Sequence, residues 1–347
     1  MALSTIKIAS IANDAITPDK IINDGNLGVR NLIINGAMQV AQRSTSVSSQ
    51  TGSGYKTTDR WRTNSSGGTY NQSRQTVPLG DSVVGDFKYF LRHEVTTGDN
   101  FTGIQQRIED VQSVAEGTVT LSFYAKGTNP NAGSIAIGTN QYFGTGGSPS
   151  TNVEVQDAAT FTVTSSWQRF NFQLTVASIL GKTLGTNGDS YFQIQFTQAG
   201  GDASTDAWTL DITGVQLEVG ETATPFEHRS FGDELARCDR FFQAYNLGGS
   251  YVGLSTAYTA NSTTALSSMT FRTPMRASPT MSVNNLIVTD RTAFDSDISH
   301  VTVQGSSSDG VSFKTTHASN SASLRNGVEI TSKNGTTDAY ARFDAEL

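Results

Sequence analysis

Short runs in which large apolar residues alternate with polar ones recur along this chain, and they constrain its fold more than any other feature. Each run is brief and is bounded by Gly, Asn or Asp. A period of two places successive side chains on opposite faces of a strand, so one face can be buried. The clearest runs are residues 89–95, 119–125, 170–174 and 192–196. The pattern predicts an all-β protein.

The stretch 208–245 joins two parts of the chain. It begins as a strand, because Trp208, Leu210 and Ile212 alternate with polar neighbours. Gly214 then shifts the phase of the alternation, as a glycine in a β-bulge does. We therefore expect a β-domain to close here.

Beyond this strand the apolar period becomes helical. Ser230 and Asp233 form an S-x-x-D capping pattern, which predicts a helix over residues 233–245. Its apolar face would carry Phe231, Leu235, Cys238, Phe242 and Tyr245. Cys238 is the only cysteine, so an intrachain disulfide cannot form. Its place on the apolar face predicts that it is a small core residue.

Six or more strands before this helix favour a two-sheet sandwich of jelly-roll type. Long Ser/Thr/Gly-rich segments at 43–56 and 127–157 are expected to be mostly loops. The predicted organisation is an extended N-terminal attachment segment, a jelly-roll β-sandwich, a short connecting helix and a second β-sandwich-like C-terminal domain. Their expected ranges are 1–28, 29–228, 229–247 and 248–347.

The composition narrows the functional class. Charged residues make up 16% of the chain, and its 33 glycines greatly outnumber its 7 prolines. A surface so poor in charge suits an extracellular or particle-bound β-protein better than a helical cytosolic enzyme. The net charge of −7 argues against a nucleic-acid partner, which requires clustered Lys and Arg. No run approaches the ~20 consecutive apolar residues of a membrane span, so we expect no membrane insertion.

The chain carries a set of motifs that are informative in combination. They are NLIINGAMQVAQR, YKTTDRW, the IQQRIED run, TLSFYAKG, SWQRFNF, LGKT, MRASPT and the long run LDITGVQLEVGETATPFEHRSFGDELARCDRFFQ. Together these motifs resemble phage tail-fibre and related virion proteins. The N-terminal IANDAITPDKI resembles the Ile/Asp/Thr repeats that lead trimeric phage fibres. In such proteins a carbohydrate-binding-module-like jelly roll precedes a short helix and a distal β-domain.

The resemblance implies a homotrimeric fibre that attaches to other virion proteins through its N-terminus. It also implies adhesion to host surface polysaccharide or lipopolysaccharide by the C-terminal domains, and a location on the virion tail. Two alternatives stay open at this point: a purely structural virion component and a polysaccharide depolymerase.

The sequence offers little support for catalysis. Glycosidases need two carboxylates roughly 5–10 Å apart, and no spacing among the acidic residues selects such a pair. No G-x-S-x-G elbow is present, and the histidines His93, His228, His300 and His317 lack metal-ligand spacing. We expect a protein that is not an enzyme and requires no cofactor.

A structural calcium ion is the one metal that the resemblance suggests. Jelly-roll carbohydrate modules often hold calcium between an Asn-Gly segment near the first strand and an aspartate of the last. Asn35 and Asp211 resemble these positions, and Asp59 could reach the same end of the sandwich. Calcium prefers six to eight oxygen ligands, so the three candidates would form only part of a site.

Glycan binding would use exposed aromatic rings that stack on sugar faces. Trp61, Trp167 and Trp208 lie in strand contexts and are expected in the core. The candidates are therefore aromatic residues assigned to loops: Tyr70, Tyr142, Phe143 and Tyr258.

Trimer contacts are expected in two places. Ile11 and Ile16 of the N-terminal segment would be covered if three copies wound together. Leu235, Cys238 and Phe242 could pack around a three-fold axis. Alternatively, this face of the helix packs on its own sandwich.

Overall fold

A computed structural model of the chain describes residues 30–97, 101–130, 133–199, 207–291, 295–318 and 327–347. The predicted attachment segment, with Ile11 and Ile16, lies outside the described residues. No helix in the described ranges is long and apolar enough to cross a membrane.

Within its described residues, the first β-domain contains twelve strands and one short 3-10 helix, Val111–Val114. The strands are β1 (Ser46–Thr51), β2 (Gly54–Tyr55), β3 (Arg62–Ser65), β4 (Thr69–Thr76), β5 (Tyr89–Thr97), β6 (Thr102–Glu109), β7 (Gly117–Thr128), β8 (Ile135–Tyr142), β9 (Val153–Phe161), β10 (Gln168–Val176), β11 (Tyr191–Gln198) and β12 (Trp208–Val219).

These strands form two antiparallel six-stranded sheets that pack face to face. One sheet has the order β1-β4-β5-β12-β7-β10, and the other has the order β2-β3-β6-β11-β8-β9. Their inner faces share one apolar core, to which Leu91, Phe123 and Leu210 contribute from the first sheet and Phe192 and Phe196 from the second. The predicted all-β class and jelly-roll sandwich are confirmed.

Local sequence features explain several details of this domain. All three tryptophans are buried, as predicted. Gly214 has a φ of 61°, and the register of β12 against β7 shifts between Thr213 and Gln216. A bulge at this glycine therefore lets one strand change the face that it presents to the core.

Two segments that were predicted to be loops are partly strands. The segment 43–56 contains β1 and β2, and the segment 127–157 contains β8 and the start of β9. Their own sequences show only weak strand signals. They form strands because they pair with segments that lie elsewhere in the chain. For example, β8 is bordered on one side by β11 over its whole length, from Tyr142 opposite Tyr191 to Ile135 opposite Gln198.

The connecting helix α1 spans Phe231–Asp239 and is shorter than predicted. The Ser230 hydroxyl caps it by accepting a hydrogen bond from the Asp233 amide at 3.2 Å. Phe242, which was assigned to the helix, begins strand β13 (Phe242–Asn246). The chain leaves the helix there because this segment pairs along the C-terminal strand of the protein.

The proposed helical trimer seam is wrong for two of its three residues. Cys238 and Phe242 are buried within their own chain, and only Leu235 is partly exposed. The Cys238 thiol is enclosed, and burial raises its pKa well above the usual value. The alternative that this face packs on its own sandwich is therefore correct for these two residues.

The C-terminal part contains a barrel and a small sheet. Its further strands are β14 (Gly253–Asn261), β15 (Thr264–Thr270), β16 (Thr280–Asn284), β17 (Leu286–Thr289), β18 (Asp295–Ser306), β19 (Gly310–His317), β20 (Gly327–Ser332) and β21 (Tyr340–Asp344). Six of them close into a barrel in the order β14-β15-β19-β18-β17-β20. The order β13-β21-β16 forms a separate three-stranded sheet. The second β-domain was expected to be sandwich-like, and its largest unit is this closed barrel.

Polar contacts join the two domains. The Gln42 amide donates to the Asp239 carboxylate at 3.1 Å and to the Phe242 carbonyl at 2.8 Å. Arg60, which is buried, pairs with the Glu346 carboxylate, and its guanidinium lies 3.5 Å from the centre of the Phe241 ring. The last strands are thus fixed against the jelly roll through charged and aromatic contacts.

Candidate functional site

The outer face of the sheet β2-β3-β6-β11-β8-β9 is polar, although its strands carry apolar residues toward the core. On β6 and β11, Ile104, Ile108, Phe192 and Phe196 point into the core. The alternate positions therefore point outward, because successive side chains of a strand take opposite faces.

Strand register arranges the outward residues in rows across the sheet. One row runs from Arg62 to Gln105, then to Gln195 and Gly138, each directly opposite the next. Directly opposed residues have Cβ atoms roughly 4.5–5.5 Å apart, so these side chains are neighbours. Gly138 leaves room for the amide, since a Cβ there would lie 2.6 Å from Nε2 of Gln195.

A second row contains Arg107, Gln193 and Asn140. Nε of Arg107 donates to Oε1 of Gln193 at 3.3 Å, and Nε2 of Gln193 donates to Oε1 of Gln195 at 3.1 Å. We call this surface the amide face: Arg62, Gln105, Arg107, Asn140, Tyr142, Tyr191, Gln193 and Gln195.

The amide face contains polar atoms that have no hydrogen-bond partner. Both amide atoms of Gln105 and Nε2 of Gln195 are unpaired among the described residues. The two side chains are only 1% and 2% exposed. A buried polar group without a partner costs roughly 1–3 kcal/mol, so proteins seldom keep one without a reason. Each of these atoms has less than 1 Å² of accessible surface, so a ligand does not reach them in this conformation.

One end of the amide face is aromatic. The rings of Tyr142 and Tyr191 are stacked, with centroids 4.7 Å apart and an interplanar angle of 23°. The guanidinium carbon of Arg107 lies 4.5 Å from the centre of the Tyr191 ring. Burial raises the pKa of Tyr191, so its hydroxyl stays protonated at neutral pH and can donate a hydrogen bond.

The chemistry of this surface suits a ligand rich in hydroxyl groups. Amides offer both donors and acceptors, and tyrosine rings offer flat apolar surface. The carboxylate of Glu109, which is directly opposite Tyr191, accepts two hydrogen bonds from Arg240 at 2.7 and 2.8 Å. Among the described ranges no group of three or more His, Cys, Asp or Glu residues could hold a metal ion.

The structure separates the four predicted glycan-binding aromatics. Tyr142 lies on the amide face, where it stacks on Tyr191. Tyr70 and Phe143 were expected on exposed loops, but they are 0% and 1% exposed. Tyr70 is on β4 and its hydroxyl donates to the Gly52 carbonyl at 3.0 Å, so neither ring can stack on a sugar.

Tyr258 lies in the other domain. It is on β14 of the barrel, is 51% exposed and borders a cavity of about 580 Å³. Its assignment as a glycan contact stays a prediction that is separate from the amide face.

The three predicted calcium ligands have other partners. The Asn35 amide donates to the carbonyl oxygens of Val40 at 2.8 Å and Asp59 at 2.9 Å. Asp211 accepts two hydrogen bonds from Arg92, at 2.7 and 2.8 Å. The positive charge of Arg92 therefore compensates the charge of the Asp211 carboxylate. No hydrogen bond joins this carboxylate to Asn35 or Asp59 in the described structure. Calcium binding stays an untested prediction.

Asp59 has a structural role, which its hydrogen bonds and its burial explain. Both carboxylate oxygens accept hydrogen bonds from Gln42, at 2.8 Å each. Burial raises the pKa of Asp59 to about 6 despite the nearby Arg43. This carboxylate fixes the segment that leads into β1.

Sequence reasoning missed most of the amide face. Five of its residues were assigned only to the polar positions of alternating strands: Arg62, Gln105, Arg107, Gln193 and Gln195. The available signal was that these alternate positions on two runs, IQQRIED and YFQIQF, are mainly amides and arginine. Only strand pairing shows that the two runs are adjacent.

A scan against protein-family models gave no match, and a search of curated proteins gave none either. Among solved structures, the chain is similar to the N-terminal cellulose-binding domain of a β-1,4-glucanase from Cellulomonas fimi. That match has 21% identity and a TM-score of 0.27, and it covers 39% of this chain and 80% of that chain.

Two further structures show the range of the similarity. A xylan-binding domain from Paenibacillus barcinonensis matches with 15% identity and a TM-score of 0.31, over 46% of this chain and 92% of that chain. The enzymatically active domain of tailspike protein 4 from bacteriophage CBA120 matches with 16% identity and a TM-score of 0.32, over 55% of this chain and 21% of that chain. The structural neighbours are thus carbohydrate-binding modules and a phage tailspike domain, at a level of similarity that assigns neither family nor function.

Proposed function

We propose that this chain is an adhesion protein that binds cell-surface glycan through the amide face, without catalysis. The observation that carries the proposal is the stacked pair of Tyr142 and Tyr191, with the Arg107 guanidinium over the Tyr191 ring, at one end of a face that is otherwise lined with amides.

Sugars match this arrangement in two ways. Each hydroxyl both donates and accepts, so it can pair with an amide oxygen and an amide nitrogen at once. The C–H face of a pyranose can pack on a tyrosine ring. A nucleic acid, by contrast, would meet a chain with a net charge of −7.

Binding without catalysis is supported by the state of the nearby acid. Glycoside hydrolysis requires one carboxyl group to donate a proton and a second to act as nucleophile or base. Glu109 is held in a two-bond pair with Arg240, so both of its oxygens already accept hydrogen bonds within the protein.

We further propose that the protein acts as a homotrimeric virion fibre. The support is the sequence resemblance to phage tail fibres, and the expected partners are virion proteins at the N-terminus and host polysaccharide or lipopolysaccharide. Linking three weak sites can raise avidity by ~10²–10⁴ without any tight single site. Because Cys238 and Phe242 are buried in their own chain, the trimer contact is expected in residues 1–28.

Glycan binding can be tested on an array of bacterial surface polysaccharides. Wild-type protein should bind at least one of them, and Tyr191→Ala should weaken that binding by about fivefold or more, since stacked aromatic contacts contribute ~1 kcal/mol or more. Phe231→Ala removes an exposed aromatic ring at the start of α1, so it is the matched control and should bind like the wild type. Equal binding by all three proteins would place the site elsewhere.

Two further measurements test the remaining parts of the proposal. Light scattering on the full chain and on a chain that begins at Gly28 should give a trimer and a monomer, respectively, if residues 1–28 hold the trimer together. A monomer in both cases would refute the fibre proposal. Release of reducing ends from a bound polysaccharide would refute the proposal that the protein is not an enzyme.

A further inference from the structure

Two adjoining cavities lie against strands β14, β15, β18 and β19 of the barrel. Their volumes are about 820 Å³ and about 580 Å³, and Thr256, Ser268 and Ser312 line both of them. Both cavities are shallow and open to solvent, so a ligand can reach the residues that line them. We call the two cavities together the barrel groove, and its exposed residues include Thr256, Tyr258, Ser268, Gln304 and Ser312.

Strand register arranges hydroxyl groups in a row across the barrel groove. Ser268 is directly opposite Ser312, and Ser312 is directly opposite Gly305. The register of β14 against β15 places Thr256 next to Ser268. The row crosses four strands, which corresponds to about 14 Å because neighbouring strands are roughly 4.8 Å apart. The row is therefore longer than one sugar ring.

An exposed aromatic ring lies beside this row. Tyr258 is 51% exposed and lies on β14, two residues after Thr256. The two side chains point to the same side of the strand, because alternate residues of a strand share a face. A tyrosine ring offers flat apolar surface to the C–H face of a sugar, and hydroxyl groups pair with its O–H groups. The groove thus presents both kinds of contact that a saccharide makes.

The barrel groove has an uncharged lining. None of the described residues that line its two cavities is Asp, Glu, Lys, Arg or His. Lys314 is directly opposite Leu266, at the edge of the groove, and lines neither cavity. An anionic ligand would find no cationic partner in the lining, and a nucleic acid requires clustered Lys and Arg. The lining therefore matches a neutral ligand.

The exposed residues of the groove do not match a protein partner. Protein interfaces are enriched in aromatic residues, methionine and arginine, and they are depleted in serine. Among the described lining residues Tyr258 is the only exposed aromatic ring. The other exposed side chains of the lining, apart from Gln304, all carry hydroxyl groups: Thr256, Ser268, Thr270, Ser307 and Ser312.

We propose that the barrel groove is a second saccharide-binding site, separate from the amide face, and that it takes a neutral oligosaccharide. One sugar ring packs on Tyr258. Hydroxyl groups of the oligosaccharide exchange hydrogen bonds with Thr256, Ser268 and Ser312, because hydroxyl groups on both sides donate and accept. The inference does not depend on binding at the amide face.

Calorimetric titration with neutral hexasaccharides of glucose, mannose, galactose and xylose tests the proposal. The full chain carries Tyr191→Ala in these titrations, so that the amide face contributes less to binding. This protein should bind at least one hexasaccharide. Adding Tyr258→Ala should weaken that binding by about fivefold or more, since a stacked ring contributes ~1 kcal/mol or more. Tyr258→Phe keeps the ring and should bind within about twofold of its parent.

A second variant blocks the groove without changing its aromatic ring. The φ of Gly305 lies outside the left-handed region, so the backbone there accepts a side chain. A Cβ at Gly305 would lie 3.3 Å from the Ser312 hydroxyl oxygen, so Gly305→Val should narrow the groove and weaken binding of the same hexasaccharide. Phe231→Ala is the matched control, because it removes a ring that is 56% exposed on α1, and it should leave the affinity unchanged.

Three results would overturn the proposal. The first is full binding by both Tyr258→Ala and Gly305→Val. The second is a hexagalacturonate that binds as tightly as the neutral chain, since the lining offers no cation to select it. The third is a lower mass of Tyr258→Ala than of its parent in light scattering, which would identify the groove as a contact between copies of the chain.

The single variants separate this site from the amide face. If Tyr191→Ala alone removes all hexasaccharide binding, the inference fails and the proposed function stands. If Tyr258→Ala alone removes it and Tyr191→Ala does not weaken it, the amide face fails and the inference stands. If the wild-type protein binds no saccharide, both fail.

Discussion

Replacing Gln105 by methionine should stabilise the jelly roll. Methionine has the same unbranched length as glutamine, but it lacks the two amide atoms that are buried without partners. The substitution therefore removes a desolvation cost from the folded protein.

The expected magnitude follows from the burial of the two atoms. Each unpaired buried polar atom costs roughly 1–3 kcal/mol, and part of this cost is recovered by local adjustment. We therefore expect a gain of about 2 kcal/mol in the free energy of unfolding. For a domain of this size, that gain corresponds to a rise of ~4–8 °C in the melting temperature.

The adjacent residue provides a matched control. Gln106 is also buried, but its Oε1 accepts from the Ile34 amide at 2.8 Å and its Nε2 donates to the Ile34 carbonyl at 2.9 Å. Gln106→Met would leave both backbone groups unpaired. It should lower the free energy of unfolding by about 2 kcal/mol or more.

Urea unfolding, followed by tryptophan fluorescence, measures both variants against the wild type. Gln105→Met should unfold at a higher urea concentration than the wild type, and Gln106→Met at a lower one. If Gln105→Met is destabilised to the same extent as Gln106→Met, the amide has a partner in solution and the reasoning from unpaired atoms is wrong.

Three further predictions concern stability. Burial lowers the pKa of His93 to about 3, so between pH ~6.5 and ~3 the unfolded chain binds a proton that the native chain does not. Stability should fall as the pH falls through this window, by ~1.4 kcal/mol per pH unit from this residue, and His93→Phe should remove that slope in urea unfolding at several pH values. Gly36→Ala would place a Cβ 2.1 Å from the Val215 carbonyl oxygen, so it should lower the melting temperature through a loss of about 1–3 kcal/mol. Glu346→Gln would leave the Arg60 charge buried without its counterion and should cost about 3–5 kcal/mol, measured by calorimetry as earlier unfolding.

Two of these predictions have a control within the chain. Gly232→Ala, on the exposed first turn of α1, meets no atom closer than 3.9 Å and should be neutral or slightly stabilising. Asp297→Asn breaks an exposed pair with Lys333 and should cost at most about 1 kcal/mol. If His93→Phe keeps the pH dependence of stability, the argument from the buried histidine is wrong. If Gly232→Ala or Asp297→Asn loses as much free energy of unfolding as its test variant, the corresponding argument from packing or from the buried ion pair is wrong.

Much of the fold could be predicted because strand alternation is a local property. Residues 192–196 show their period of two without any partner, and the same holds for the burial of Trp208 and for the Ser230 cap. The helix end was wrong by several residues, because Phe242 pairs with Asp344, which lies about a hundred positions later in the chain. No local pattern contains that partner.

The amide face depended on tertiary structure for the same reason. By itself the sequence determined the β-class, the core face of each strand and the burial of the tryptophans, since these follow from side-chain period and hydrophobicity. Only the folded chain decided that Arg62, Gln105 and Gln195 form one row, because strand order and register bring together residues from three separate segments. It also decided that Tyr70 is enclosed while Tyr142 meets Tyr191, since burial depends on what packs above a residue rather than on its own side chain.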